Sequence, residues 1–165
     1  ALRYFNVYGP RQALSNPYTG VCAIFSSRLL NDKAPVIWED GNQTRDFVHV
    51  QDIVQANLLA LDKDEANYQA FNVGTGKATS IGDVARKLAT ALNKDIEPEF
   101  PKKFRAGDIR HCFADVSKIR SQLGYAPKYT FENGIPVLID WAEKQKPEDN
   151  LDRAIDELRR KGLAE

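Results

Sequence analysis

The chain has 165 residues, 42% of them hydrophobic and 28% charged, and its 23 basic side chains balance 23 acidic ones. This composition excludes a disordered chain, and the zero net charge argues against a nucleic-acid-binding module because no positive field covers the molecule. The apolar runs are too short for a membrane span, and the first residues do not resemble a signal peptide. We therefore expect a cytoplasmic protein that binds neither membranes nor nucleic acid.

Predicted strands and helices alternate along the chain. Aromatic and β-branched content predicts extended segments at residues 2–7, 36–38, 44–48, 68–73, 97–100 and 111–114. Apolar residues at helical spacing predict helices at residues 20–30, 116–122, 132–143 and 150–161. Two further helices have predicted N-caps, one at Asp52 and one at Ser80, where Asp83 completes a pattern similar to a capping box. The alternation indicates an α/β architecture.

The stretch FNVGTGK, residues 71–77, leaves a predicted strand and leads towards a predicted helix, which is where phosphate-binding loops occur. Its glycine spacing does not fit such a loop. A Walker loop requires glycine at the position of Phe71, and the dinucleotide fingerprint requires glycine at the position of Thr79. We therefore predict a structural turn rather than a phosphate cradle.

Histidine, cysteine and serine give no sign of a metal or hydrolytic site. His49 and His111 have no ligand-type neighbour at a spacing that completes a metal site, so we predict hydrogen-bonded histidines of the core or of a strand. Cys22 and Cys112 are isolated between apolar residues and are predicted to be buried and reduced. No serine lies in a Gly-x-Ser-x-Gly elbow. We expect no bound metal.

Arginines recur beside turns, which is where ligands collect in α/β proteins. The arginines concerned are Arg11, Arg45, Arg105 and Arg110. A guanidinium group binds phosphate through two parallel hydrogen bonds, so these residues predict an anion site, the alternative being unrelated surface arginines. Trp38 precedes the turn that leads to Arg45, and its indole ring is a candidate for stacking on a nucleobase, the alternative being core packing.

Four stretches together resemble a known family: LRYFNVYGPRQ, VIWEDGNQTRDFVHVQDI, FNVGTG and RAGDIRHCFADVSKIRSQLGYAP. In order and spacing they are similar to the nucleotide-sugar epimerase and dehydratase branch of the extended short-chain dehydrogenase/reductases, over residues 2–145. The resemblance implies an α/β fold, the C-terminal part of an extended Rossmann-type NAD-dependent epimerase with its small mixed α/β substrate-binding domain. Residues 1–149 would form the substrate-binding half, and residues 150–165 a C-terminal helix.

Two motifs of that family are not found in this sequence. None of the six tyrosines has lysine four residues later, so the catalytic Tyr-x-x-x-Lys does not occur, and neither does the glycine-rich NAD loop. The resemblance therefore implies that NAD is bound mainly by another part of the enzyme, and that this chain alone has no catalytic residue and no complete active site. It also implies a homodimer for the full-length protein.

The resemblance assigns binding roles by position. Tyr4 would line the nicotinamide end of the cofactor, and Asn6 would bond a substrate phosphate. The main chain around Val21 and Val36 would contact the nucleotide base, and Trp38 would stack on it.

The same resemblance assigns the polar contacts of the nucleotide. Arg45 would hold the diphosphate, Arg105 would bind phosphate, and Asp108 would bind the ribose hydroxyls. The stretches PRQALSNPYTGV and GDIRHCFADVSK are most similar to 4-epimerases of dTDP-L-rhamnose and UDP-glucose type. We therefore expect a UDP- or dTDP-hexose 4-epimerase. The alternatives are a 4,6-dehydratase or a decarboxylating relative, and a non-catalytic module that binds nucleotide sugars.

Overall fold

The computed structural model describes residues 1–16, 20–102 and 108–161. Its strands are β1 Leu2–Tyr4, β2 Asn6–Tyr8, β3 Thr44–Arg45, β4 Phe47–His49, β5 Phe71–Val73, β6 Thr79–Ser80 and β7 His111–Cys112. Its α-helices are α1 Val21–Leu30, α2 Val50–Asp62, α3 Ile81–Ala91, α4 Ser117–Leu123, α5 Phe131–Ala142 and α6 Leu151–Arg160. Within these ranges, no helix has the length and apolar character needed to cross a bilayer.

The opening strand, predicted as one element, is divided in two. β1 pairs in parallel with β5, and β2 pairs in parallel with β4. The partner changes at Phe5, whose amide donates to the carbonyl of Val73 at 3.1 Å, whereas the next amide, of Asn6, donates to the carbonyl of Asp46 at 2.9 Å. Residue composition favours an extended backbone but does not specify its partner, which is why the division was not predicted.

A third sheet holds the segment around Arg45. β3 lies between β6, with which it is antiparallel, and β7, with which it is parallel. Thr44 is therefore opposite Ser80 on one side and opposite His111 on the other. This arrangement brings residues 108–112 beside the turn at residues 39–42.

The predicted strands at residues 36–38 and 97–100 are reduced to one isolated bridge between Val36 and Glu99. Pro35 and Pro98 flank this bridge and have no amide hydrogen to extend a ladder, and Glu39 turns the chain with a φ of 61°. The strand predicted from Tyr68 begins only at Phe71.

The prediction that Asp52 caps α2 is wrong. The N-cap is His49, whose Nδ1 accepts a hydrogen bond from the amide of Gln51 at 3.3 Å. Asp52 lies in the first turn and is buried, and its carboxylate accepts hydrogen bonds from the amides of Lys128 and Tyr129 at 2.8 and 3.1 Å. The local pattern predicted that Asp52 caps the helix, but its side chain instead binds backbone amides from a distant part of the chain.

The other helix predictions are confirmed to within a few residues. At the start of α3, the amide of Asp83 donates to Ser80 Oγ at 3.0 Å, as the capping pattern predicts. α1, α4, α5 and α6 lie at the predicted helices 20–30, 116–122, 132–143 and 150–161.

The buried apolar residues form two main clusters on the strands. One joins α1, α3 and α5 to β4 and includes Phe25, Leu29, Phe47, Leu88 and Leu138. The other joins α2 and α4 to β5 and includes Ala56, Phe71, Val73, Ile119 and Leu123. Helices thus cover parallel strands, which confirms the predicted α/β class.

Candidate functional site

Arg45 and Asp108 meet at the end of β3, although 63 positions separate them in the sequence. Arg45 Nη1 donates to the carbonyls of Thr44 and Arg110 at 2.8 and 3.3 Å. Its Nη2 donates to Asp108 Oδ1 at 3.4 Å, and the Arg45 side chain is 16% exposed. The guanidinium group is thus held in place by two carbonyls and a carboxylate while part of it still faces solvent.

A second arginine fixes the turn that follows Trp38. Arg110 Nη1 donates to Glu39 Oε2 at 2.7 Å, and both of its Nη atoms donate to the carboxylate of Asp40 at 2.8 and 2.7 Å. These hydrogen bonds, with help from the amide of Asn42, hold the pKa of Asp40 below its ordinary value. The sequence predicted Arg110 only as one of four arginines of an anion site, and the structure shows that it ties residues 108–112 to this turn.

Trp38 is connected to the same region through its backbone. Its carbonyl accepts a hydrogen bond from Gln43 Nε2 at 2.7 Å, and Gln43 directly precedes β3. The indole is partly exposed rather than buried in the core. Arg105 lies outside the described residues, so its convergence with Arg45 and Trp38 stays a prediction.

A buried carboxylate, that of Asp46, supports this region from inside the protein. It accepts hydrogen bonds from the Thr75 amide at 2.9 and 3.0 Å, the Thr75 hydroxyl at 2.6 Å, the Gly76 amide at 2.8 Å and the Ala114 amide at 3.2 Å. A Cβ on Gly74 would lie only 2.5 Å from Asp46 Oδ2. The amides of the FNVGTG stretch therefore bind a side chain of this chain, which confirms the predicted structural turn.

Tyr4 and Asn6 lie on the divided opening strand. The Tyr4 hydroxyl donates to Asn57 Oδ1 at 2.9 Å, and the Tyr4 side chain is nearly half exposed. Asn6 is opposite Phe47 in the β2–β4 pair, one residue from Asp46. That Tyr4 lines the nicotinamide end of NAD stays a prediction.

Val21 and Val36, predicted to contact the base through their main chain, occupy two different backbone environments. Val21 is the first residue of α1, whose N-cap Gly20 has no side chain to satisfy the first amides. The bridge to Glu99 uses the carbonyl of Pro35 and the amide of Ile37, so the backbone groups of Val36 take no part in it. Main-chain contacts of Val21 and Val36 with the base stay a prediction.

The two histidines differ in environment. His49 is buried, and its ring stacks on Tyr129 with centroids 4.0 Å apart. His111 is exposed, and its Nδ1 lies 2.9 Å from Thr44 Oγ1. The prediction of a fully hydrogen-bonded histidine is wrong for His49, because its Nε2 is buried without a partner. Across the described ranges, no three His, Cys, Asp or Glu side chains gather as metal ligands.

Lowering the pH from about 7.5 to about 5.5 should reduce the free energy of unfolding, because folded His49 resists protonation. Burial lowers the pKa of His49, and the charge of Asp52 opposes only part of this shift. The unfolded chain then binds more protons just below the ordinary histidine pKa, so the stability present above that pKa is lost as the pH falls. Urea unfolding at a series of pH values measures this loss. The slope of stability against pH should flatten in His49→Phe, and an unchanged slope would contradict the assignment.

Comparisons with known proteins find relatives of this chain. Residues 1–74 match the NAD dependent epimerase/dehydratase family. The chain is 40% identical over 144 residues to the dTDP-L-rhamnose 4-epimerase of Burkholderia thailandensis, covering 87% of the chain and 39% of that protein. It is 38% identical over 141 residues to a putative UDP-glucose 4-epimerase of Methanocaldococcus jannaschii, covering 85% and 44%.

Solved structures agree with these relatives. The UDP-glucose 4-epimerase of Thermotoga maritima with UDP-glucose has a TM-score of 0.79 at 39% identity, over 87% of this chain and 45% of that one. The UDP-N-acetylglucosamine 4-epimerase of Methanobrevibacter ruminantium in complex with UDP-N-acetylmuramic acid has a TM-score of 0.78 at 38% identity, over 86% and 44%.

The architecture is therefore that of a Rossmann-type α/β protein, in which parallel strands alternate with helices. More particularly, its first 74 residues match the NAD dependent epimerase/dehydratase family, and the chain is similar to nucleotide-sugar 4-epimerases. It spans less than half the length of each of the relatives described above.

Proposed function

We propose that the chain is the substrate-binding part of an NAD-dependent nucleotide-sugar 4-epimerase that acts on a UDP- or dTDP-hexose. The observation that carries this proposal is the pairing of Arg45 with Asp108 at the end of β3. A guanidinium group suits a diphosphate, and a carboxylate suits ribose hydroxyls. Residues 1–149 would form the binding part, and residues 150–165 would be an appended helix.

The hydrogen bonds of Arg45 leave room for an anion. A guanidinium group has five N–H donors. The contacts made within the described residues use both hydrogens of Nη1 and one of Nη2. The Nε hydrogen and the second Nη2 hydrogen are therefore available to phosphate oxygens, and the two carbonyls fix the direction in which they point.

The nucleotide base would lie on Trp38. The backbone carbonyl of Trp38 is held by Gln43, and the turn after Trp38 is held by Arg110, so the backbone that carries the indole is fixed before the ligand arrives. Preorganisation of this kind reduces the entropy lost on binding. The backbone groups of Val21 and Val36 would supply hydrogen bonds to the base edge, and Asn6 and Arg105 would bind phosphate.

NAD would be held mainly by the part of the relatives that this chain does not span. In this chain, the exposed ring of Tyr4 is placed to pack against the nicotinamide. When bound, NAD accepts and returns the hydride of the sugar C4 carbon. Binding of the nucleotide at Arg45 and Trp38, away from the sugar, would let the sugar turn between the two hydride transfers. A homodimer of the full-length protein is part of this proposal.

Titration with UDP and dTDP tests the site, because the chain has only two tryptophans, Trp38 and Trp141. In Trp141→Phe, the remaining indole fluorescence should be quenched saturably by nucleotide, whereas Trp38→Phe should show no quenching. Arg45→Gln should weaken binding by about tenfold or more, since it removes a charge-assisted bond. Arg153→Gln, which changes an exposed arginine of α6, is the matched control and should bind normally. An unchanged dissociation constant in Arg45→Gln would overturn the assignment.

The reaction itself is tested on the intact gene product from which the sequence comes. Incubation with NAD and UDP- or dTDP-hexoses should give the C4 epimer. Accumulation of a 4-keto-6-deoxy sugar would instead indicate a 4,6-dehydratase, and release of carbon dioxide from a uronic acid substrate would indicate a decarboxylase. Nucleotide-sugar binding without turnover would identify a non-catalytic module.

A further inference from the structure

A cavity of about 710 Å³ lies at the carboxyl ends of β2 and β4. Its polar lining includes Arg11 and Gln12 from the loop after β2 and His49 from the end of β4. None of these three residues has a part in the proposed nucleotide site. The carboxyl ends of parallel strands are where ligands bind in α/β proteins, so this cavity is a candidate ligand site.

His49 presents an unused hydrogen-bond donor in this wall. Its Nδ1 accepts from the amide of Gln51, so the neutral ring carries its proton on Nε2. Nε2 is buried and has no partner among the described residues, and the His49 residue is only 1% exposed. Tyr8 and Tyr129 pack against the ring, with centroids 5.4 and 4.0 Å away, and fix its orientation. A buried donor of this kind is satisfied when an oxygen from a ligand accepts from it.

Gly9 keeps the space beside this donor open. A Cβ at Gly9 would lie 3.4 Å from His49 Nε2 and 2.6 Å from Val50 Cγ1. The φ of Gly9 is 146°, which residues with a Cβ rarely adopt. Glycine is therefore required at position 9 for two reasons: the backbone has a φ that other residues rarely adopt, and a side chain there would block the access of a ligand to His49 Nε2.

The next two residues add an acceptor and a positive charge. Gln12 Nε2 lies 3.5 Å from the carbonyl of Val7, to which it donates, and Gln12 Oε1 is buried without a partner. Arg11 is exposed at the cavity and makes no ion pair or hydrogen bond within the described residues. Its φ of 69° is unusual for a residue other than glycine. The loop thus has a strained backbone at Arg11, and it places the guanidinium group of this residue at the cavity.

We propose that this cavity binds a hydroxylated carboxylate, such as a sugar acid. An oxygen of the ligand accepts from His49 Nε2, a hydroxyl group donates to Gln12 Oε1, and the carboxylate pairs with Arg11. A neutral sugar leaves the guanidinium group without an anion. A simple carboxylate such as acetate offers no hydrogen to Gln12. A ligand that carries both an acid and a hydroxyl satisfies the three wall groups together.

This subsite is separate from the proposed nucleotide site. Arg45 ends β3 and His49 ends β4, four residues later, which is about 13 Å along an extended chain. The inference uses neither Arg45, Asp108 nor Trp38. Failure of nucleotide binding would therefore leave it standing, and its own failure would leave the nucleotide site standing.

The two histidines allow a direct test with ¹⁵N-histidine-labelled protein. On titration with D-glucuronate, the His49 signals should move saturably, while those of His111, on β7, should stay in place. D-glucose and acetate should bind at least about fivefold more weakly than glucuronate, because each lacks one of the paired groups. Inorganic phosphate distinguishes a general anion site from a sugar acid site and should also bind more weakly.

Variants at the cavity complete the test. Arg11→Gln should weaken glucuronate binding by about fivefold, and Gln12→Leu should reduce the preference for glucuronate over acetate. Arg153→Gln is the matched control and should leave binding unchanged, and the spectrum of each variant reports whether it is folded. No shift at His49, an equal shift at both histidines, or unchanged affinity in Arg11→Gln would overturn the proposal. Binding of glucose or phosphate as tight as that of glucuronate would do the same.

Discussion

Replacing Asp46 by alanine should lower the free energy of unfolding by at least about 3 kcal/mol. The carboxylate is fully buried and accepts hydrogen bonds from Thr75, Gly76 and Ala114. Removal of both oxygens leaves these amides and the Thr75 hydroxyl without partners in a region closed to water, and each unpaired buried group destabilises the fold. Urea or thermal unfolding of the purified variant measures the loss.

Two matched variants separate the hydrogen bonds from the loss of a carboxylate as such. Asp46→Asn keeps one acceptor oxygen and should lose less stability than Asp46→Ala. Asp62→Ala removes an exposed carboxylate at the end of α2 and should change stability by less than about 0.5 kcal/mol. Equal stability of Asp46→Ala and Asp62→Ala would contradict the buried hydrogen-bond network.

Replacing Arg28 by methionine should cost about 3 kcal/mol, because the buried carboxylate of Asp149 loses its buried partner and keeps only a partly exposed one, Lys33, among the described residues. Arg28 Nε donates to the carbonyl of Ala34 at 2.5 Å, and its Nη1 pairs with Asp149 at 3.3 Å and Asp152 at 3.1 Å. The side chains of Arg28 and Asp149 are only 7% and 4% exposed. This network fixes the start of α6 to α1, so hydrogen exchange should speed up most in α6.

The pH adds an independent check on this network. Burial alone would raise the pKa of Asp149, but hydrogen bonds from Lys33 and the Leu151 amide, with the charge of Arg28, bring it below its ordinary value. Its contribution is thus present above the ordinary aspartate pKa and is lost as the pH falls through the lowered one. That acid loss should be smaller in Arg28→Met.

Arg86→Met is the matched control, because it breaks an exposed pair with Asp83 and should change the free energy of unfolding only slightly. An equal loss of stability in Arg28→Met and Arg86→Met would contradict the role of burial.

Features with a local cause could be predicted from the sequence. The cap of α3 depends on Ser80 and Asp83, which are three residues apart, and apolar spacing gave the other helices. The change of strand partner at Phe5 has no local cause, because β4 and β5 come from distant parts of the chain. Asp52 shows the same limit, since its amide partners are 76 and 77 residues away.

The candidate site also has residues that could be predicted from the sequence and residues that could not. The resemblance to a family pointed to Arg45 and Asp108, which the fold brings together. It did not point to Asp46 or Arg110, although these two residues hold the surrounding loops. No spacing rule connects Asp46 to Ala114, 68 residues later, or Arg110 to Asp40, 70 residues earlier. Composition alone could not reveal these supports.

The ion pairs of Arg110 with Glu39 and Asp40 lie at the surface, so the position of the neighbouring Trp38 should depend on the salt concentration. At an ionic strength of about 1 M, screening acts within about 3 Å and weakens such surface pairs. The buried Asp46 carboxylate is shielded from mobile ions and keeps its contacts. High salt should therefore loosen the turn beside Trp38 while the interior beneath it stays ordered, and nucleotide affinity would fall well before the protein unfolds.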